Sequence, residues 1–143
     1  MERGGEILDK YIHKVQYYET DRMGITHHSN YIRWMEEARV DFLDKIGFGF
    51  DKIEEYGVMS PVVGINCEYK EPTTFADEVE IYCKIKEYKG VKLVIEYEMK
   101  NIKTGNLVFV GTSIHCFVDK ENRLVRLKNC LPELDEKLKS YND

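Results

Sequence analysis

The chain has 143 residues, 43% of them hydrophobic and 33% charged, with a formal net charge of −5. That length suits one domain, 1–143, with a sizeable core, and the composition excludes a disordered chain. The acidic balance, with a pI of about 5.5, excludes the basic footprint of a nucleic-acid binder.

No apolar run reaches the roughly 18 residues a membrane-spanning helix needs, so no membrane insertion is expected. The first residues, MERGGEILDKY, have neither the apolar stretch nor the cleavage site of a secretory signal, and the expected location is cytoplasmic. Cys67, Cys83, Cys116 and Cys130 are widely spaced without a C-x-x-C pair. They read as free buried thiols rather than metal ligands.

In chain order, residues 1–9 are polar and glycine-containing and are expected to be poorly ordered. Tyr11 to Glu19 reads as a strand, with Ile12, Val15 and Tyr17 as its apolar positions. Thr20 to Ser29 is a turn containing Asp21, Gly24, His27 and His28. Ser29 or Asn30 is placed to cap the helix that follows. That helix, Asn30 to Ile46, puts Tyr31, Trp34, Met35, Ala38, Phe42 and Ile46 on one face and would be about 25 Å long. Gly47 stands where a left-handed C-terminal residue is usual.

A helix of that length needs a broad partner surface, and the rest of the chain supplies a sheet. Phe50 to Tyr56 suggests a short helix. Met59 to Tyr69 is β-rich, and residues 79–86 and 91–100 alternate apolar with polar. Thr104-Gly105-Asn106 is a turn. Leu107 to Val118 is expected to be the longest strand and central in the sheet. Arg123 to Leu127 is expected as a short returning strand, and Pro132 to open a last helix with Leu134 and Leu138. One long helix against a run of antiparallel strands is an α+β layout.

The residues that carry chemistry cluster between the first strand and the long helix. On spacing alone Asp21 favours a local role, accepting amides within its turn. The helix start a few residues on supplies free amides and a partial positive end, the raw material of an oxyanion hole. A carboxylate facing the same carbonyl could attack it or deprotonate a water. His27 and His28 lack the i, i+4 spacing of a metal pair. Glu36 and Glu37 favour a solvated face. Lys84, Lys86, Lys89 and Lys92 form the densest basic stretch, which suits either phosphate binding or a protected sheet edge. His115, in an apolar strand, reads as a core or interface histidine.

The run Tyr18-Glu19-Thr20-Asp21-x-x-Gly24-Ile25-x-His27-His28-x-Asn30-Tyr31, with Glu37-Ala38-Arg39 in the helix behind it, resembles the signature of hotdog-fold acyl-CoA thioesterases. The likeness is to the 4-hydroxybenzoyl-CoA thioesterase group, and within it to the Tol-Pal-associated branch. It extends to Tyr69-Lys70-Glu71-Pro72 before the turn at Asp77. The resemblance implies a long helix wrapped by a curved antiparallel sheet, homodimers joined edge to edge or dimers of dimers, sites at the subunit interface, and an acyl-CoA substrate with no cofactor.

It places the catalytic carboxylate on Asp21 and the carbonyl-polarising amide on His28, with Gly24 and Tyr31 in support. Lys89 and Lys92 fall where some members grip CoA phosphates. A sister branch carries its carboxylate on the helix, which keeps Glu36 and Glu37 as second candidates. Arg22 and Met23 stand where relatives often have smaller residues. The rival readings are a non-catalytic acyl-CoA-binding module and a hotdog dehydratase or hydratase.

Overall fold

Period-two alternation of side chains builds most of this fold. The computed structural model describes residues 10–141, and the segment 1–9 expected to be poorly ordered lies outside them. The elements are β1 (Tyr11–Lys14), α1 (Ser29–Lys45), α2 (Phe50–Glu55), β2 (Val62–Tyr69), β3 (Glu78–Tyr88), β4 (Lys92–Asn101), β5 (Leu107–Cys116), α3 (Leu127–Cys130) and α4 (Pro132–Lys139). The strands form one antiparallel sheet in the order β1-β3-β4-β5-β2. With α1 across it, this is the expected α+β hotdog layout.

The register decides which side chains meet the helix. Ile81 pairs with Met99, Cys83 with Tyr97 and Ile85 with Ile95, all on the helix side and all buried. Their neighbours Lys84, Lys86, Glu96 and Glu98 alternate onto the other face. Trp34, Met35, Ala38 and Phe42 of α1 complete this core, each nonpolar side chain of Phe or Met size contributing about 2 kcal/mol by its burial. Leu134 and Leu138 of α4 close one end, where the Tyr88 hydroxyl donates to Asp135.

α1 packs most closely over β1 and β3. It therefore leaves a seam above β2, the other edge. A bulge between Val62 and Gly64, where two residues of β2 advance against one step of β5, turns Val62 to the same side as Ile65, Cys67 and Tyr69. The helix-facing side of β2 thus lines the seam along its whole length.

Several expected boundaries move. The first strand ends at Lys14, because the Gln16 amide donates to the Glu19 carboxylate at 2.8 Å and starts a 3-10 turn over Tyr17–Glu19. β5 is interior but not central, a place β4 holds, and β3 is longer at 11 residues. The run 123–127 forms no strand. One bridge, Val118 to Leu124, is made before the chain enters α3. Ser29 and Asn30 do not cap α1. Gly47, at φ +92°, ends the helix as expected.

Candidate active site at the start of the long helix

The loop before α1 is shaped by its own hydrogen bonds. The Asp21 amide donates to the Ile25 carbonyl at 2.8 Å, and the Gly24 amide returns to the Asp21 carbonyl at 2.9 Å. Gly24 sits at φ +79°, a conformation that strains any residue with a Cβ. Asp21 Oδ1 accepts the Met23 amide at 2.8 Å, so the local role favoured by spacing is present. Its second oxygen, Oδ2, has no hydrogen-bond partner among the described residues. The Asp21 side chain is half-buried.

Asn30 faces inward instead of capping. Its amide nitrogen donates to the carbonyls of Glu19 at 3.0 Å and His27 at 3.2 Å. The Ser29 amide finds its acceptor on the His27 ring, Nδ1, at 3.2 Å. The rings of His27 and His28 stack with centroids 4.3 Å apart. Among the described residues no three histidine, cysteine, aspartate or glutamate side chains converge as metal ligands. The His28 amide, at the cap position just before the helix, has no acceptor among the described residues. It points from the positive end of a 17-residue helix.

A cavity of about 290 Å³ opens here, lined by Ile25, Thr26, His28, Tyr31, Tyr69 and the Lys70–Pro72 strip. Tyr31 is buried beneath it and stacked on Phe109 with centroids 5.3 Å apart. Its hydroxyl pairs with Thr73 Oγ1 at 2.9 Å, which pairs in turn with Thr26 Oγ1 at 2.6 Å. Burial pushes the Tyr31 phenol above its ordinary value. Tyr31 therefore braces the site rather than titrating in it. The structure brings His28 and Tyr31 to one cavity. Asp21 does not line that cavity in the single chain.

Lys89 and Lys92 lie elsewhere. Tyr69 of the site pairs with Phe109 and through it with Met99, whereas Lys92 pairs with Cys116 at the other end of β4. Seven residues of strand, about 23 Å, separate the two ends. Both lysines are shared with Glu87, each at 3.5 Å. Lys86 pairs with Glu96 across the outer face.

Sequence reasoning missed the buried network that fixes this loop. The Glu19 carboxylate accepts the Gln16 amide, the Trp34 indole N–H and His13 Nε2, each at 2.8 Å. The other nitrogen of His13 meets Glu37 at 2.9 Å, and the Tyr11 hydroxyl donates to the same Glu37 oxygen at 2.8 Å. Burial pushes the Glu19 acid upward, but the bonds from Gln16, His13 and Trp34 outweigh it and hold the acid below its ordinary value. Burial and Glu37 push the Tyr11 phenol up to about 12. Glu37 is thus committed to β1, and Glu36 alone of the helix pair faces the seam. One signal was available: an indole at Trp34, on the core face of the helix, needs an acceptor.

An antiparallel sheet behind one long helix, with a helix-start amide and a carboxylate on the preceding loop, is the layout of a fold class that includes acyl-CoA thioesterases. The chain belongs to the thioesterase-like superfamily, whose sequence profile matches residues 15–139. It is 38% identical to the putative acyl-CoA thioesterase YneP of Bacillus subtilis, over 84% of this chain and 87% of that one. It is 35% identical to a putative esterase of Aquifex aeolicus, over 82% and 89%. Its fold matches the DHNA-CoA thioesterase of Staphylococcus aureus with a TM-score of 0.85 at 30% identity, over 89% and 85% of the two chains.

Proposed function

We propose that this protein is an acyl-CoA thioesterase in which Asp21 and the His28 amide act on the thioester carbonyl. The observation that carries the reading is the unpartnered His28 amide seven residues after a carboxylate with one free oxygen, Asp21 Oδ2. The amide donates to the carbonyl oxygen as negative charge develops there. Asp21 either attacks the carbonyl carbon or takes a proton from the attacking water. The C–S bond then breaks, and the thiolate leaves as CoA and is protonated. Where water attacks, the acyl group leaves directly as a free acid. Where Asp21 attacks, a water then cleaves the Asp21–acyl anhydride, giving the free acid and restoring the carboxylate. Gly24 and Tyr31 hold the loop and the helix start in place.

The site is completed in a homodimer, by itself or within a dimer of dimers. β2 supports this: it is an edge strand with a free ladder side, and Val63 is 61% exposed on it. A two-fold, antiparallel pairing of two β2 edges would set the hairpin end of one chain beside the His28 end of the other. That would bring Lys89 and Lys92 to the CoA phosphates of a neighbour's site, and would close the space between Asp21 and the cavity. The reading places the reaction in the cytoplasm, where the four free thiols stay reduced.

Release of free thiol from short, long and aromatic acyl-CoAs tests the proposal, with Asp21→Asn and Asp21→Ala as controls. Turnover in the wild type and a loss of about 100-fold or more in kcat in both variants are expected. Acyl-CoA binding without turnover in the wild type would instead favour the binding module. Full activity in both variants would remove Asp21 from the mechanism.

A further inference from the structure

Between α1 and β2, beyond the His28 cavity, lies a second cavity lined by a buried charge. Arg39 is 5% exposed, and its Nη1 has no hydrogen-bond partner among the described residues. No carboxylate forms an ion pair with it among the described residues. Its close neighbour is the Phe50 ring, 5.0 Å from the guanidinium carbon. A buried cation without an anion is costly, and natural folds pair such groups or neutralise them. A guanidinium cannot give up its proton, so the remaining solution is an anion that arrives from outside.

The surroundings are built for one. Arg39 lines a cavity of about 210 Å³ with Ile32 and Met35 of α1 and Ile65 of β2. Behind them the Tyr97 hydroxyl pairs with Ser113 Oγ at 2.6 Å, and Ser113 Oγ with His115 Nε2 at 2.7 Å. His115 Nδ1 is turned towards the Ser60–Pro61 backbone without closing a hydrogen bond. Burial and the Arg39 charge hold His115 down at about 4, so it is neutral near pH 7. Arg33 and Glu36, both exposed, are the other charged groups at the cavity. The lining therefore carries two guanidiniums against one carboxylate, and Glu36 makes no bond to Arg39.

The helix places this charge in line with the reaction site. His28, Ile32 and Glu36 follow one another at every fourth residue, on one face of α1. Arg39 stands eleven residues beyond His28, a rise of about 16 Å, and helical side chains tilt back towards the N-terminus. Tyr69, Ile65 and Val62 mark the same track on β2.

Resting on the thioesterase reading, we infer that this seam is the acyl subsite and that Arg39 binds a carboxylate at the far end of the acyl group. The substrate class is the CoA monothioester of a dicarboxylic acid. Ile32, Met35 and Ile65 cover the methylene chain, and the guanidinium pairs with the distal carboxylate through two parallel N–H donors.

Matched substrates test this on the purified full chain: adipoyl-CoA against hexanoyl-CoA, and suberoyl-CoA against octanoyl-CoA. The wild type is expected to favour the dicarboxylic member of a pair by about 10- to 100-fold in kcat/KM. Arg39→Met should abolish that preference while still hydrolysing the monocarboxylic substrate, and Arg39→Lys should keep part of it. Because it removes an unpaired charge, Arg39→Met should melt no lower than the wild type without substrate.

Turnover of all four substrates with no preference would overturn the inference and leave the thioesterase reading standing. No turnover of any of them would overturn the inference, and the thioesterase reading would fall with it only if the aromatic acyl-CoAs were not hydrolysed either. A strong loss of stability or a change of oligomeric state in Arg39→Met would show the charge already balanced by a second chain, and would also overturn it.

Discussion

The carboxylate of Glu19 accepts the indole N–H of Trp34 at 2.8 Å, both side chains buried, and so joins the loop carrying Asp21 to the second turn of α1. The Glu19 carbonyl adds a second tie, accepting the His27 amide at 2.8 Å. Removing the carboxylate leaves His13, Trp34 and the Gln16 amide without their acceptor. Glu19→Ala should cost about 3 kcal/mol, close to 10 °C in melting temperature, as buried charged networks do when one member is lost. Thermal melts by circular dichroism measure it. Activity should fall alongside, because the loop loses its anchor.

His115 makes stability depend on pH in a defined window. Its folded value of about 4 lies below its ordinary 6.5. On acidification the unfolded chain therefore takes up a proton that the folded chain refuses. Stability from the neutral ring is complete above 6.5 and declines as pH falls towards about 4, by about 3 kcal/mol across the window. Urea denaturation at pH 7, 5.5 and 4.5 should show this decline in the wild type. The part due to His115 should be missing from His115→Gln.

Gly111 is the one position of β5 where a Cβ has no room. It would stand 2.7 Å from the Asn66 carbonyl and 2.8 Å from the Phe109 ring. Neither can yield easily, since Asn66 is held in β2 and Phe109 is stacked on Tyr31. Gly111→Ala should destabilise by about 2 kcal/mol and lower turnover by tilting Phe109 under Tyr31 and Tyr69. A denaturation curve and a kcat measurement check the two halves separately.

Edge pairing through β2 predicts its own disruption. Val63→Lys places a charge on the free edge, a device that blocks strand addition. The variant should keep its fold by circular dichroism, appear as a monomer by light scattering, and lose nearly all activity. A Val63→Lys protein that remains a dimer would move the interface elsewhere.

The helix and the strands could be read from the sequence because each obeys a local period. Tyr31, Trp34, Met35, Ala38 and Phe42 repeat at helical spacing, and Ile81, Cys83 and Ile85 alternate with charges. The family motif from Tyr18 to Tyr31 singled out Asp21 and His28 in the same way, as neighbours along the chain. Arg39 was partly visible too. It lies four residues after Met35 and three before Phe42, on the core stripe, where an unpaired guanidinium is out of place.

What the sequence determined by itself is local: which segments are helix or strand, where glycine turns the chain, and that a carboxylate precedes the start of the longest helix. The tertiary structure alone decided which long-range partners those groups meet. The order β1-β3-β4-β5-β2 separates Lys92 from His28 by the length of the sheet. The placement of α1 over β1 and β3 binds Glu37 to His13 and leaves a cavity over β2 that Arg39 lines. These outcomes depend on contacts between residues far apart in the chain, and burial gives such contacts their energy only after the layers have packed.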